Sequence, residues 1–215
     1  MSGAMAPYVV RQGDYLAKIA FVHGFDADEV WNDPKNEGLK RLRRDHRLLA
    51  PGDLVYLPVK KKEGLPLQKG TTNRYVAKVP KVEVVVVFQD DDKPLADEPY
   101  VIEGLGAPQE GTTDSSGKIA IDVPLLAREG RVVFTKRNIA FPLLVGDMDP
   151  IDEATGVRKR LQHLGHMPPP GDPSETDQDE LDRASIAAFQ EARGLPVTGA
   201  ADEATKAELV KVHGA

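Results

Sequence analysis

The stretch Phe189-Gln190-Glu191-Ala192-Arg193-Gly194-Leu195-Pro196-Val197-Thr198-Gly199-Ala200-Ala201-Asp202-Glu203-Ala204-Thr205 decides how the end of the chain is read. Gly194 stands where a helix needs a left-handed residue to stop, so Leu181 to Arg193 reads as a helix with Ile186 and Phe189 on its buried face. Pro196 and Gly199 supply turn chemistry, and Asp202 caps a further helix whose apolar positions are Leu209 and Val212. Upstream, Val157, Leu161 and Leu164 follow helical spacing up to Gly165. A Pro-rich, acidic loop, Met167 to Asp179, joins the two segments. Three short helices without a strand predict a three-helix bundle.

Moving towards the N-terminus, the apolar period changes from that of a helix to that of a strand. Tyr75 to Val79, Val82 to Phe88, Pro99 to Gly104, Lys118 to Val123, Arg131 to Thr135 and Ile139 to Val145 read as strands, with turn clusters at Asp90 to Pro94 and Asp114 to Gly117. This spacing predicts an antiparallel β-sandwich. Earlier still, Tyr8 to Arg11 is a short strand-like run. Asp14 reads as the cap of a helix carrying Leu16, Ile19, Ala20 and His23 on one face, stopped by Gly24. Asp26 and Glu29 form a capping box for a second helix anchored by Val30 and Trp31. Pro34 interrupts it, Leu39 and Leu42 suggest one more helical stretch, and Leu54 to Leu57 is a closing strand. The fold class expected is therefore multidomain α+β: a βααβ module over 1–62, a linker 63–72, a β-sandwich spacer 73–146, a linker 147–155 and a helical module 156–215.

Two of these modules resemble known families. Val157-x-x-x-Leu161-Gln162-x-Leu164-Gly165, with the Phe-Gln and Gly-Leu-Pro-Val-Thr-Gly runs and Asp202, Thr205 and Leu209 in register, resembles the three-helix peptidoglycan-binding domain. The acidic loop Gly171 to Glu180 departs from that pattern, and its charge would repel wall carboxylates. Tyr8-x-Val10-x-x-Gly13-Asp14-x-Leu16-x-x-Ile19-Ala20, then Asn32, then Leu49-x-Pro51-Gly52-x-x-Val55-x-Leu57-Pro58, resembles a LysM domain. That resemblance implies binding of N-acetylglucosamine glycans in a groove formed by Gly13, Asp14, Tyr15 and Leu16 on one side and Leu49, Ala50, Pro51 and Gly52 on the other. Tyr15 stands where such domains carry a small Thr or Ser, which implies an altered or blocked groove. Lys40, Arg41, Arg43, Arg44 and Arg47 read either as a solvated helix face or as an anion-facing patch. The run Gly111-Thr112-Thr113-Asp114-x-x-Gly117-x-Ile119 resembles the hairpin of carboxypeptidase-regulatory-like and other Ig-like spacers.

Composition narrows the function classes. The 215 residues carry a net charge of -6, which argues against nucleic-acid binding, and contain no cysteine for a disulfide or thiolate site. No apolar run is long enough to span a bilayer, so no membrane insertion is expected, and no Sec signal is legible at the start. The charge is uneven: residues 1–62 hold 11 Lys/Arg against 8 Asp/Glu, whereas residues 147–215 hold 7 against 14. Gly111 to Lys118 has one residue too many for a phosphate loop, and Gly104 to Gln109 lacks the third glycine of a dinucleotide fingerprint. His163 and His166 make at most half a metal site, and Asp147, Asp149, Asp152 and Glu153 lack the spacing of a calcium loop.

These readings predict no cofactor, no metal and no catalysis. The leading expectation is a non-catalytic peptidoglycan-binding protein, an anchoring or targeting module that grips the wall at both ends through avidity. The alternative is a structural adaptor or effector-loading accessory of a contractile injection system, of type VI secretion or phage-tail kind. It would use the same folds to contact a spike, tail or effector protein. Either would be cytoplasmic as synthesised and leave by a non-Sec route.

Overall fold

The computed structural model describes residues 4–43, 45–59, 67–75, 78–90, 93–167 and 177–214. Among these, antiparallel sheets and six α-helices combine in a mixed α/β chain with three separate hydrophobic cores.

The first core is enclosed by β1 (Met5–Val9), α1 (Leu16–His23), α2 (Ala27–Trp31), a 3-10 turn (Pro34–Asn36), α3 (Glu37–Arg43) and β2 (Leu54–Pro58). β1 and β2 pair antiparallel from Met5 opposite Pro58 to Val9 opposite Leu54. Val55 and Leu57 alternate inward from β2 and meet Leu16, Ile19, Val30, Trp31 and Leu39. Asp26 caps α2 as its sequence predicts, accepting from the Asp28 and Glu29 amides. Asp14 does not cap α1. Its carboxylate accepts instead from the Tyr8 hydroxyl at 2.7 Å and the Arg11 amide at 3.1 Å, closing the turn that precedes the helix, while Tyr15 takes the N-cap position without a side-chain bond. The helical stretch that Leu39 and Leu42 suggest is α3, in which Leu39 is buried in the core and Leu42 is 56% exposed. The buried Asn36 holds the module across its diameter. Its amide donates to the carbonyls of Val30 and Tyr56, and its oxygen accepts from the Tyr56 amide at 2.7 Å.

The second core lies in the strand-rich region: β3 (Lys81–Val87), β4 (Gln89–Asp90), β5 (Lys93–Pro94), β6 (Pro99–Glu103), β7 (Gln109–Thr112), β8 (Lys118–Pro124), β9 (Glu129–Phe134) and β10 (Ile139–Leu144). A four-stranded sheet runs β10-β9-β6-β7, while β3 pairs with β8 and the short β4 with β5. Ile119, Ile121 and Val123 from β8 share one core with Ile102, Val132 and Phe134 from the larger sheet. Phe134 meets Phe88 edge-on, with centroids 5.0 Å apart. The expected strand Tyr75 to Val79 is not found in its described residues, Tyr75, Lys78 and Val79; positions 76 and 77 lie outside them. β7 was not predicted, since Gln109-Glu110-Gly111-Thr112 has no apolar alternation; it pairs with β6, and Gln109 also donates to the Asp122 carbonyl.

The third core belongs to α4 (Ala154–His163), α5 (Gln178–Ala192) and α6 (Glu203–His213). Val157, Leu161, Ile186, Phe189 and Leu209 form it, joined by Met167. Asp202 accepts from the Thr205 amide at 2.8 Å, the cap its position predicts. Gly156 admits close approach, because a Cβ there would collide with the carbonyl oxygen of Pro150. The fully buried Arg160 completes that turn by donating Nη1 to the carbonyls of Asp149 and Gly156 at 2.9 and 2.8 Å.

Candidate functional site

The two N-terminal loops expected to form a groove do lie side by side. The Val10 amide donates to the Asp53 carbonyl and the Gly52 amide to the Val10 carbonyl, each at 2.9 Å. Of the eight residues, Leu16, Leu49 and Ala50 are buried, while Pro51 and Gly52 are exposed. Gly13, Asp14 and Tyr15 are half-buried; Gly13 and Tyr15 meet the middle region of the chain, while Asp14 bonds within its own module. The Tyr15 hydroxyl donates to the Leu125 carbonyl at 2.7 Å, and burial raises its pKa. Gln12 donates to the Asp147 carboxylate at 2.8 Å. At Gly146, whose φ of 75° favours glycine, a Cβ would stand 2.8 Å from the Gly13 carbonyl oxygen and 3.0 Å from the Tyr15 ring. Large and polar at its tip, Tyr15 thus serves as a docking group. Its size is legible in the sequence, its partner is not.

The basic run divides. Arg43 is nearly buried and holds two carboxylates: Nε and Nη2 each lie 2.8 Å from Asp53, and Nη1 lies 2.8 Å from Glu153. These bonds raise its pKa, the bond to Asp53 most of all. Lys40 donates to Asn32 at 2.7 Å, Arg41 lies 3.7 Å from Glu37, and Arg47 pairs with Asp45. Arg41 and Arg47 are exposed, Lys40 is half-buried, and Arg44 lies outside the described residues. The four acidic residues that begin the C-terminal region have basic partners. Asp147 and Asp149 hold Lys159, at 3.2 and 3.0 Å, Asp152 meets Lys206 at 3.4 Å, and Glu153 meets Arg43. Sequence spacing gave no sign of these ion pairs, two of which, Lys206–Asp152 and Arg43–Glu153, join residues far apart along the chain.

Within the helical region Gln190 is fully buried and organises the turn before α6. Its amide donates to Thr198 Oγ1, the Ala200 carbonyl and Thr205 Oγ1. Its oxygen accepts from the Thr198 and Gly199 amides at 2.8 and 2.9 Å. That turn brings Ala201 to a cleft of about 80 Å³ between α4 and α5, lined also by Ala154, Val157, Leu161 and Ile186. The ion pair Arg158–Asp182 lies on its rim, with Nε 2.7 Å from the carboxylate, and Gln178 donates to the same carboxylate at 2.8 Å. A shallower concavity of about 430 Å³ lies over Glu103, Gly130, Arg131 and Leu144 in the strand-rich region.

The histidines do not assemble as their spacing suggests. His166 meets the Phe189 ring edge-on, whereas His163 Nδ1 lies 2.9 Å from Nε2 of His213. Burial, and then His163 and Arg160, lower the pKa of His213 to about 4; burial also lowers that of His163. Among the described residues no group of three or more His, Asp or Glu side chains could hold a metal ion, and no helix is long and apolar enough to cross a membrane.

Comparison with known proteins found no match among curated proteins or solved structures. Against family models, residues 152–209, the span of the helical region, match the peptidoglycan binding domain, and this supports a peptidoglycan-binding role for the chain.

Proposed function

We propose that the chain is a non-catalytic peptidoglycan-binding protein that anchors or targets to the cell wall, with the helical region making the principal contact. The observation that carries this reading is the family match over 152–209, on a unit whose Phe189, Gln190, Gly199 and Asp202 build one turn and one core. The N-terminal βααβ module, in its likeness to LysM domains, contributes only the exposed Pro51 and Gly52, because the middle region covers its first loop. The strand-rich region serves as an Ig-like spacer of two facing sheets. Sedimentation of the full chain with purified peptidoglycan tests this. The wild type pellets, Phe189→Ala abolishes pelleting by removing the helical core, and Pro51→Trp changes it little. Absence of the wild type from the pellet would overturn the reading.

A second reading, an adaptor for a contractile injection system, is favoured by one feature. β3 has β8 as its one strand partner among the described residues, and Val84, Val85 and Val87 are exposed on it. A stable complex with a spike, tail or effector protein, without pelleting, would select it.

A further inference from the structure

We infer that the helical region recognises the peptide stem of peptidoglycan and not its sugar strand, through the cleft between α4 and α5. This rests on the peptidoglycan-binding reading and narrows it to one chemical part of the polymer. A pyranose ring offers an apolar C–H face, which a flat aromatic side chain holds best. Between residues 147 and 215 the sequence contains one Phe, no Tyr and no Trp, and that residue, Phe189, is fully buried. The cleft is also small. At about 80 Å³ it is well below the roughly 300 Å³ where pockets for whole small molecules begin. Its lining of Ala154, Val157, Leu161, Ile186 and Ala201 suits a methyl group, as an alanyl residue of the stem presents.

The rim supplies polar groups that suit a peptide. Arg158 commits Nε and Nη2 to Asp182, and Nη1 has no partner among the described residues, so it is left to donate to a stem carbonyl or carboxylate. Asp182, held by Arg158 and Gln178, accepts from the free ammonium group of a diamino acid. Because the ion pair is already in place, little side-chain ordering is required on binding.

The test uses the full chain with intact sacculi and with sacculi stripped of their peptides by an amidase. Intact sacculi should retain the protein, and stripped glycan should retain it about tenfold less, the scale of losing a charged hydrogen bond. Equal retention on stripped glycan would overturn this inference and leave the peptidoglycan reading standing; no retention on either would overturn both. Ala154→Leu places a good helix former at an exposed position and fills the cleft. With an unchanged melting temperature, it should lower retention on intact sacculi about tenfold. Undiminished retention by that variant would remove the cleft from the argument. Should Ala154→Leu unfold the region, acetylation of the amines on intact sacculi makes the same decision with wild-type protein: weakened retention supports the site, and unchanged retention overturns it.

Discussion

The N-terminal and C-terminal modules are each pinned by one buried carboxamide, Asn36 in the first and Gln190 in the second, yet they present different surfaces. Asn36 ties α2 to β2 and leaves the neighbouring loop, through Tyr15, docked on Leu125. Gln190 shapes a turn whose Ala201 borders an open cleft. The same device stabilises both. What differs is whether the rest of the chain covers the resulting rim.

The comparison can be broken most severely at Arg43. Arg43→Met leaves the Asp53 carboxylate buried beside the Ala50 amide without its cation, which should cost about 3–5 kcal/mol. Because Trp31 is the single tryptophan and belongs to the same core, denaturation followed by its fluorescence reports the loss directly. A smaller loss, about 2–4 kcal/mol, is expected for Gln190→Ala, which strands the buried Thr205 hydroxyl and the partly buried Thr198 and Gly199 amides. Circular dichroism should register it while the Trp31 transition stays in place. Tyr15→Phe removes one hydrogen bond between modules and should cost about 1 kcal/mol in denaturant titration without altering retention on peptidoglycan. A loss of retention would show that the first loop, and not docking alone, depends on that hydroxyl.

A pH slope confined to the helical region sets the C-terminal module apart from the N-terminal one. His213 and His163 both have folded pKa values below their unfolded ones, so the unfolded chain binds more protons. Their contribution is complete above about pH 6.5 and is lost as the pH falls towards about 4. The groups facing the pair are Arg160 and Lys159, which oppose protonation, and Asp147, which favours it. Thermal melts by circular dichroism across this range should show the decline, and His213→Gln should flatten it.

Legibility followed the range of the interaction. Gly24, Asp26 and Asp202 act on backbone within a few residues, and their roles could be read from position. Asp14 misled because its neighbour in space, Tyr8, competes for the carboxylate that would otherwise cap α1. At Arg43 the charge was visible, but its engagement by Glu153, 110 positions later, was not. His163 was paired in sequence with His166, yet the packing of α4 against α6 brings it to His213.

By itself the sequence determined the three cores and the helical pattern at the end, because apolar periodicity and capping chemistry act over one or two turns. Only the tertiary structure decided which rim is covered and which remains open, because Tyr15, Arg43 and Gly146 meet their partners across contacts that no local pattern encodes.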